Sequence, residues 1–433
     1  MLEKVFKLSE NQTTLRTEVL AGITTFMTMA YIIFVNPAIL SDAGMPFGAV
    51  LVATCVSAAF ATLLMGLLAN YPFALAPGMG LNAYFTYSVV LGAGLSWQAA
   101  LAAVFISGLI FLLLTLTRAR EAIVNAIPMS LKLAVSAGIG LFIALIGFKN
   151  AGFIVPNENT LVALGDFSDP KVLLAAIGFV VTGLLVVKRV KGALLLGIII
   201  TTLIGIPMGI TNIENFRLVS MPPSVAETFG AFRLGFKEVL DYGIIPIIFA
   251  FTFVDLFDTI GTLVGVSSKA GMLDERGHLP RASRALLADS LGTVVGSVMG
   301  TSTVTTYIES ASGVAEGGRT GLTAVITALL FLVALFFSPL VGIIPGQATA
   351  PILIIVGIFM MEPVMKIDFT NYLEAIPAFL AIVMMPFTFS IAEGIVFGVL
   401  AYTILRFLAG RWQEVSLTMW VLTVLFVIRF FVG

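Results

Sequence analysis

The sequence predicts an all-α polytopic membrane protein: fourteen transmembrane segments in two inverted seven-segment repeats, with short strands in the third and tenth segments. Three observations predict it. The first is composition. Of 433 residues, 59% are hydrophobic and 11% are charged, whereas soluble domains carry roughly 25% charged residues. The second is a series of apolar runs of spanning length whose flanking charges alternate from side to side. The third is a pair of interrupted runs at matching places in the two halves.

A spanning helix needs about 20 mostly apolar residues. By that measure the first seven segments lie at about 18–36, 49–69, 79–91, 96–117, 129–148, 171–187 and 192–211. The second seven lie at about 242–267, 284–299, 306–316, 320–341, 346–362, 371–386 and 389–407. A further run, Val415 to Val432, reads equally as a fifteenth span, a half-span or an interfacial helix. Before the first segment, Leu2, Val5 and Phe6 suit either a short interfacial helix or a disordered tail. The first 17 residues are polar and mixed and lead straight into a full span, so no cleavable signal peptide is read.

Charge supports this order. With the N-terminus cytoplasmic, the inner loops carry Arg118 and Arg120, then Lys188, Arg189 and Lys191, then Lys269, Arg276, Arg281 and Arg284. Arg319, Lys366, Arg406 and Arg411 follow on the same side. The outer loops carry chiefly Lys149, Lys171, Arg217, Arg233 and Lys237, in keeping with the positive-inside bias. The long stretches near 150–170 and 212–241 fall outside. Seven is odd, so the second half runs opposite to the first, which makes an inverted repeat. One offset relates them: 255 − 28 and 309 − 82 both equal 227, setting Asp255 on Thr28 and Glu309 on Asn82.

Composition also excludes function classes. The net charge of −1 suggests no nucleic-acid partner. Cys55 and His278 are each single, which rules out an internal disulfide and argues against a zinc site, so neither metal nor cofactor is expected. No GxxxxGK[ST] phosphate loop is found. Any pumping then draws on an ion gradient or a partner ATPase.

The eighth segment, Tyr242 to Ser267, carries Asp255 and Asp258 near its middle. A charged side chain at the centre of a spanning helix costs roughly 2.5–3.5 kcal/mol on insertion scales, so two of them mark a functional site or a structural pair bonded inside the bundle. Thr252, Asp255, Asp258, Thr259 and Thr262 read as one polar stripe that cannot face lipid.

The third segment reads PFALAPGMGLNAYFTYSVVL, with Pro77, Gly78 and Gly80 breaking a helix at mid-membrane. The tenth reads TSTVTTYIESASGVAEGG, whose polar, β-branched opening suits an extended piece before a short helix. Extended backbone at that depth leaves N–H and C=O groups that lipid does not satisfy. The simplest remedy pairs 73–76 with 302–305. Each break also exposes a half-helix N-terminus, with Asn82 and Glu309 at those ends. The constellation is Asn82, Asp255, Asp258 and Glu309, ringed by Phe26, Tyr31, Tyr84, Phe253, Phe257 and Tyr307. Carboxylates accept N–H bonds, an amide both donates and accepts, and rings stack on flat faces. That set suits a flat, neutral molecule rich in N–H and C=O groups. An inorganic anion would find no Lys or Arg in these central segments.

Three motifs carry a resemblance: APGMGLNAYF (76–85), FTFVDLFDTIGTL (251–263) and TSTVTTYIESASGVAEGGRTG (301–321). Through them, and over nearly its whole length, the chain resembles the purine permeases for hypoxanthine, adenine and guanine in the nucleobase–ascorbate transporter superfamily. The resemblance implies proton symport by alternating access in the cytoplasmic (inner) membrane of a prokaryote, usually as a homodimer, with membrane lipid around it. It implies a core domain of residues 1–128 and 242–345 (spans 1–4 and 8–11). A gate domain follows from 129–241 and 346–433 (spans 5–7 and 12–14 with the C-terminal apolar segment). Family substrate positions fall on Gly80, Asn82, Asp255 and Glu309, with Tyr307 and Ile308 flanking the ligand; Phe26 joins this set from the ring of aromatics. Asp258 is a second important carboxylate, and the proton falls to Asp255, Asp258 or Glu309. A pyrimidine, xanthine, urate or anion carrier of the same fold stands as the alternative. An intramembrane aspartyl protease is disfavoured, because Asp255 and Asp258 lie on one helix and no GxGD is found.

Overall fold

Backbone in a bilayer must satisfy its own hydrogen bonds, so apolar runs of this length have little choice but to become helices. The computed structural model describes residues 2–117, 127–213, 217–242, 245–274 and 279–432. Arg118, Arg120, Arg276 and His278 lie outside the described residues, as does the side chain of Phe257. Among the described residues, nine helices are long and apolar enough to cross a membrane: Leu15–Asp42, Phe47–Ala69, Trp97–Leu116, Met129–Asn150, Pro170–Val187, Ile247–Ser267, Gly321–Gly342, Gly346–Lys366 and Ile391–Leu408. Shorter apolar helices, Ala193–Gly205, Tyr372–Phe387 and Leu417–Ile428, stand with them. Ala282–Met299 makes another helix, in which Arg284 and Asp289 dilute the apolar character. The chain is thus a mostly helical integral membrane protein.

Local chemistry sets the helix starts. Ser96, Asp169, Thr320, Asn371 and Ser390 each accept a backbone N–H of the following turn on the side chain, which satisfies a donor the helix itself leaves unpaired. A less local cap is Glu18, fully buried near the start of the first span. Its carboxylate accepts from Arg319 N at 2.8 Å, Thr323 N at 3.1 Å and Thr323 Oγ1 at 2.7 Å. A negative charge suits that helix start, and it ties the first span to the Gly321–Gly342 helix.

The two interrupted segments become strands that pair with each other. β1 (Leu75–Pro77) and a strand at Val304–Thr306 run antiparallel, with Leu75 opposite Thr306 and Pro77 opposite Val304. Gly78 N to Thr303 O and Tyr307 N to Ala74 O, both 2.9 Å, lengthen the ladder at its ends. The pairing expected from the sequence is therefore observed, shifted by a residue or two along each strand. A two-stranded ribbon still has two open edges, which in a membrane interior need partners. Thr62 fills one: its hydroxyl receives Leu75 N at 2.9 Å and donates to Leu75 O at 3.0 Å. Thr293 fills the other, receiving Val304 N at 3.2 Å and donating to Val304 O at 3.1 Å.

Hydropathy overlooks two elements in the long stretches near 150–170 and 212–241. Residues 150–170 hold a hairpin, β2 (Ile154–Asn157) with β3 (Leu161–Leu164), in which Asn157 Oδ1 accepts from Asn159 N and Thr160 N. With Val304–Thr306 as β4, the strands are then complete in chain order. Residues 212–241 contain most of the amphipathic helix Phe232–Tyr242. Its Phe232 stacks on Phe105 of Trp97–Leu116, ring centroids 4.3 Å apart. Its Glu238 accepts from Ser96 N at 2.7 Å. At the N-terminus, Leu2–Phe6 is a short helix whose Phe6 packs with Leu322. At the other end, Leu417–Val432 buries Met419, Leu422 and Phe426, the last edge-on to Phe249 at 5.3 Å. One face of this C-terminal helix is thus held against the bundle.

Candidate functional site

The β1–β4 crossing gathers polar side chains from four parts of the chain. Beyond β1 the backbone turns into a helix over 79–92, α-helical through Ala83 and π-helical from Tyr84. Asn82 is its fourth residue rather than its cap. Ser302, just before β4, donates its hydroxyl to Asn82 Oδ1. The Nδ2 of Asn82 is fully buried and has no hydrogen-bond partner among the described residues. An amide nitrogen in such a place is costly unless something accepts from it.

Glu309 caps the short helix Ser310–Ala315 that follows β4. Tyr31, at the break between helices Leu15–Met29 and Ile32–Asp42, donates to Glu309 Oε1 at 2.6 Å. Tyr307 is buried and donates to Pro77 O at 2.5 Å, binding the two interrupted segments together. Asp258 reaches the same place from the Ile245–Lys269 helix, where Thr305 of β4 hydrogen-bonds its side chain. It shares electrostatic contact with Glu309, Tyr31 and Tyr307. Ile308 is 52% exposed and Glu309 and Asp258 are half-buried, so the protein's own packing does not close the site over.

The polar stripe read from the sequence divides. Thr252 meets Ser107 of the Trp97–Leu116 helix at 2.9 Å. Asp255 is fully buried, and its Oδ1 lies 3.3 Å from the Thr259 hydroxyl. That hydroxyl is also 2.9 Å from Oδ1 of Asp289 on Ala282–Met299. So Asp258 joins Tyr31, Tyr307, Glu309 and Asn82 about the ribbon, while Asp255 is linked through Thr259 to a neighbouring helix. Sequence reasoning missed Asp289. The signal for it is the same one that flags Asp255, a carboxylate inside an apolar span, but a stripe confined to one helix does not include it.

Other predicted residues take structural places. Gly80 faces the Met129–Asn150 helix: a Cβ there would stand 2.5 Å from Ile139 Cγ2, so its role in this state is close approach of two helices. Phe26 sets its ring edge-on to Phe331 at 5.3 Å and remains half-buried. Tyr84 packs edge-on to Phe251 at 5.0 Å. Phe253 lies 5.1 Å from Phe249 and beside Leu131, Val135 and Val399. Among the described residues, no group of three His, Cys, Asp or Glu side chains is placed to hold a metal ion.

Two carboxyl groups in electrostatic contact, Asp258 and Glu309, and one donor with no hydrogen-bond partner among the described residues, Asn82 Nδ2, are thus gathered about the β1–β4 ribbon. Acceptors and a donor of this kind can hydrogen-bond a small polar solute. A family model described as Permease family (Xan_ur_permease) matches residues 16–397. The chain belongs to this family, the nucleobase–ascorbate transporter permeases. It is a transporter and not an enzyme. A putative permease of Methanocaldococcus jannaschii is 57% identical over 429 residues, covering 99% of this chain and 98% of that one. An adenine permease of Escherichia coli is 47% identical over 99% of this chain and 96% of its own length. A guanine/hypoxanthine permease of Bacillus subtilis is 47% identical over 99% of both. Among solved structures, the transmembrane domain of a cyanobacterium bicarbonate transporter aligns with TM-score 0.63 at 17% identity, covering 89% of this chain and 97% of that one. Murine Solute Carrier 26 family member A9 aligns with TM-score 0.62 at 12% identity, covering 92% and 69%. At such identities the likeness concerns the fold alone.

Proposed function

We propose that this permease imports purine nucleobases (adenine, guanine or hypoxanthine) together with a proton, by alternating access. One observation carries the reading: Asp258 and Glu309 lie in electrostatic contact beside the β1–β4 ribbon, where Ser302 also holds Asn82, whose Nδ2 has no hydrogen-bond partner among the described residues, and these central segments carry no arginine or lysine. A purine edge offers N–H groups to the carboxylates and ring nitrogens or a carbonyl to the amide. The named relatives, adenine and guanine/hypoxanthine permeases nearly half identical over the whole chain, support the same cargo. Geometry shifts the weight between aspartates. Asp258 and Glu309 are the base acceptors in this reading and Asn82 the donor, with Tyr31 orienting Glu309; Asp255 stands behind them.

The finer architecture belongs to this proposal. Fourteen spans form two inverted repeats, spans 1–4 and 8–11 move as a core against a gate of spans 5–7 and 12–14, and two copies associate. The membrane is the inner one, with the N-terminus on the cytoplasmic side. Matching roles of Thr62 and Thr293 at the two ribbon edges support the repeat. The proton enters because an ionised carboxylate is the costly form in an apolar surrounding, so uptake of a proton eases transit of an acidic site. The test is uptake of labelled adenine into proteoliposomes, with guanine, hypoxanthine, xanthine and uracil as competitors, with and without an inward pH gradient. Competition by the three purines and stimulation by the gradient are expected. Competition by uracil alone, or no response to the gradient, would overturn the cargo or the coupling respectively.

A further inference from the structure

Asp255, Thr259 and Asp289 are all fully buried, and the Thr259 hydroxyl oxygen stands 3.3 Å from one carboxyl and 2.9 Å from the other. A threonine hydroxyl has one proton to donate, and an ionised carboxylate can only accept. The hydroxyl therefore satisfies one of the two contacts. The second is a hydrogen bond only if the carboxyl on that side brings a proton of its own. Two like charges on either side of one buried hydroxyl also disfavour full ionisation of both.

We infer that Asp255 and Asp289 hold one proton between them across the Thr259 hydroxyl, and that this is the proton carried with the base. The pair then bears a single negative charge. Loading adds one proton from water to a carboxylate oxygen of the pair; unloading returns it to water on the other side, and no other bond is made or broken. Asp289 becomes a coupling residue on a helix separate from the base site. The second half of the inference rests on the symport reading under Proposed function; the first half concerns this chain alone.

Geometry also supplies the link between proton and base. Thr259 is one turn beyond Asp255, on the same helix face, whereas Asp258 points about 100° away from Thr259. Asp258 bonds Thr305 of β4. Thr293, one turn beyond Asp289, holds the neighbouring residue of that strand, Val304. The same strand thus touches both carboxylate helices, so a shift of one is felt at the other. Of the elements packed on these two helices, Trp97–Leu116 and strands β1 and β4 carry no ionisable side chain. Phe47–Leu64 brings Cys55, Met129–Asn150 brings Lys132 and Lys149, and Ile391–Leu408 brings Glu393, Tyr402 and Arg406. Glu309 arrives with the turn after β4.

The experiment is infrared difference spectroscopy of the purified full chain in lipid at neutral pH, in light and heavy water. The wild type is expected to show the carbonyl stretch of a protonated carboxylic acid, shifted in heavy water. Asp289→Asn is expected to lose that band. Thr259→Val should move it to a less hydrogen-bonded frequency, and Thr259→Ser should restore it. These threonine variants decide the matter if Asp289→Asn does not fold. A wild-type band unaltered in Asp289→Asn and Thr259→Val, or no band at all, overturns the shared proton. In proteoliposomes, Asp289→Asn should reduce gradient-driven adenine accumulation at least tenfold more than it reduces adenine exchange. Equal reduction of both would leave Asp289 a structural residue and overturn its coupling role. Failure of the wild type to carry adenine, guanine or hypoxanthine would sink the symport reading, while the infrared band would still decide whether the pair shares a proton.

Discussion

Glu309→Gln isolates the charge of the proposed base acceptor from its shape. The Tyr31 hydroxyl donates to Glu309 Oε1 at 2.6 Å, and a glutamine Oε1 can keep that bond. What changes is the other oxygen, which becomes an NH₂ donor, and the loss of negative charge. A hydrogen bond to a charged group contributes about 1.5–3 kcal/mol net. At about 1.4 kcal/mol per tenfold, its loss weakens base binding roughly tenfold to a little over a hundredfold. The new donor facing a purine N–H adds to that loss. The assay is the concentration dependence of adenine and hypoxanthine uptake in vesicles, with the amount of variant in the membrane measured in parallel. KM is expected to rise by that factor. Tyr31→Phe, which only frees the carboxylate to rotate, should raise it a few-fold. A Glu309→Gln protein with wild-type KM at wild-type abundance would refute the assignment of Glu309 as the acceptor.

Two further variants probe the scaffold. Thr293→Val and Thr62→Val each keep side-chain shape but strip the N–H and C=O of one ribbon residue of their partner. Buried groups left unpaired cost about 1–3 kcal/mol each, so each variant should lower the thermal unfolding midpoint in detergent by several degrees, with Thr→Ser at either position largely neutral. Gly80→Ala should slow transport, because its new methyl meets Ile139 Cγ2. Adding Ile139→Ala should restore the rate measured by uptake, an outcome that a direct ligand role for Gly80 would not produce.

Much of this fold is legible without coordinates because hydropathy is a local property. Runs such as Phe47–Ala69 or Met129–Asn150 must be helices wherever they pack. The strand pair is legible for a similar reason: Pro77 and the Thr301–Thr306 run cannot sit as helix at mid-membrane, and two unpaired extended pieces need each other. The hairpin at Ile154–Leu164 and the helix Phe232–Tyr242 escape because hydropathy says little about segments that are not long apolar runs. Within the site, Asn82, Asp258, Glu309, Tyr31 and Tyr307 all stand out as polar groups in apolar surroundings. Asp289 is equally visible by that criterion and carries the same cost of burial.

By itself, then, the sequence determined that this is a helical membrane transporter and which few residues stand as polar exceptions inside it, because each of those facts follows from the chemistry of neighbours along the chain. Only the tertiary structure decided their company. Asp255 and Asp258 are three positions apart on one helix, close enough to read as a single stripe. The 60° or so of turn between them sends one toward Thr305 and Glu309 and leaves the other joined through Thr259 to Asp289. That separation depends on which helix packs on which face, and the packing of helices distant in sequence leaves no mark in the local pattern.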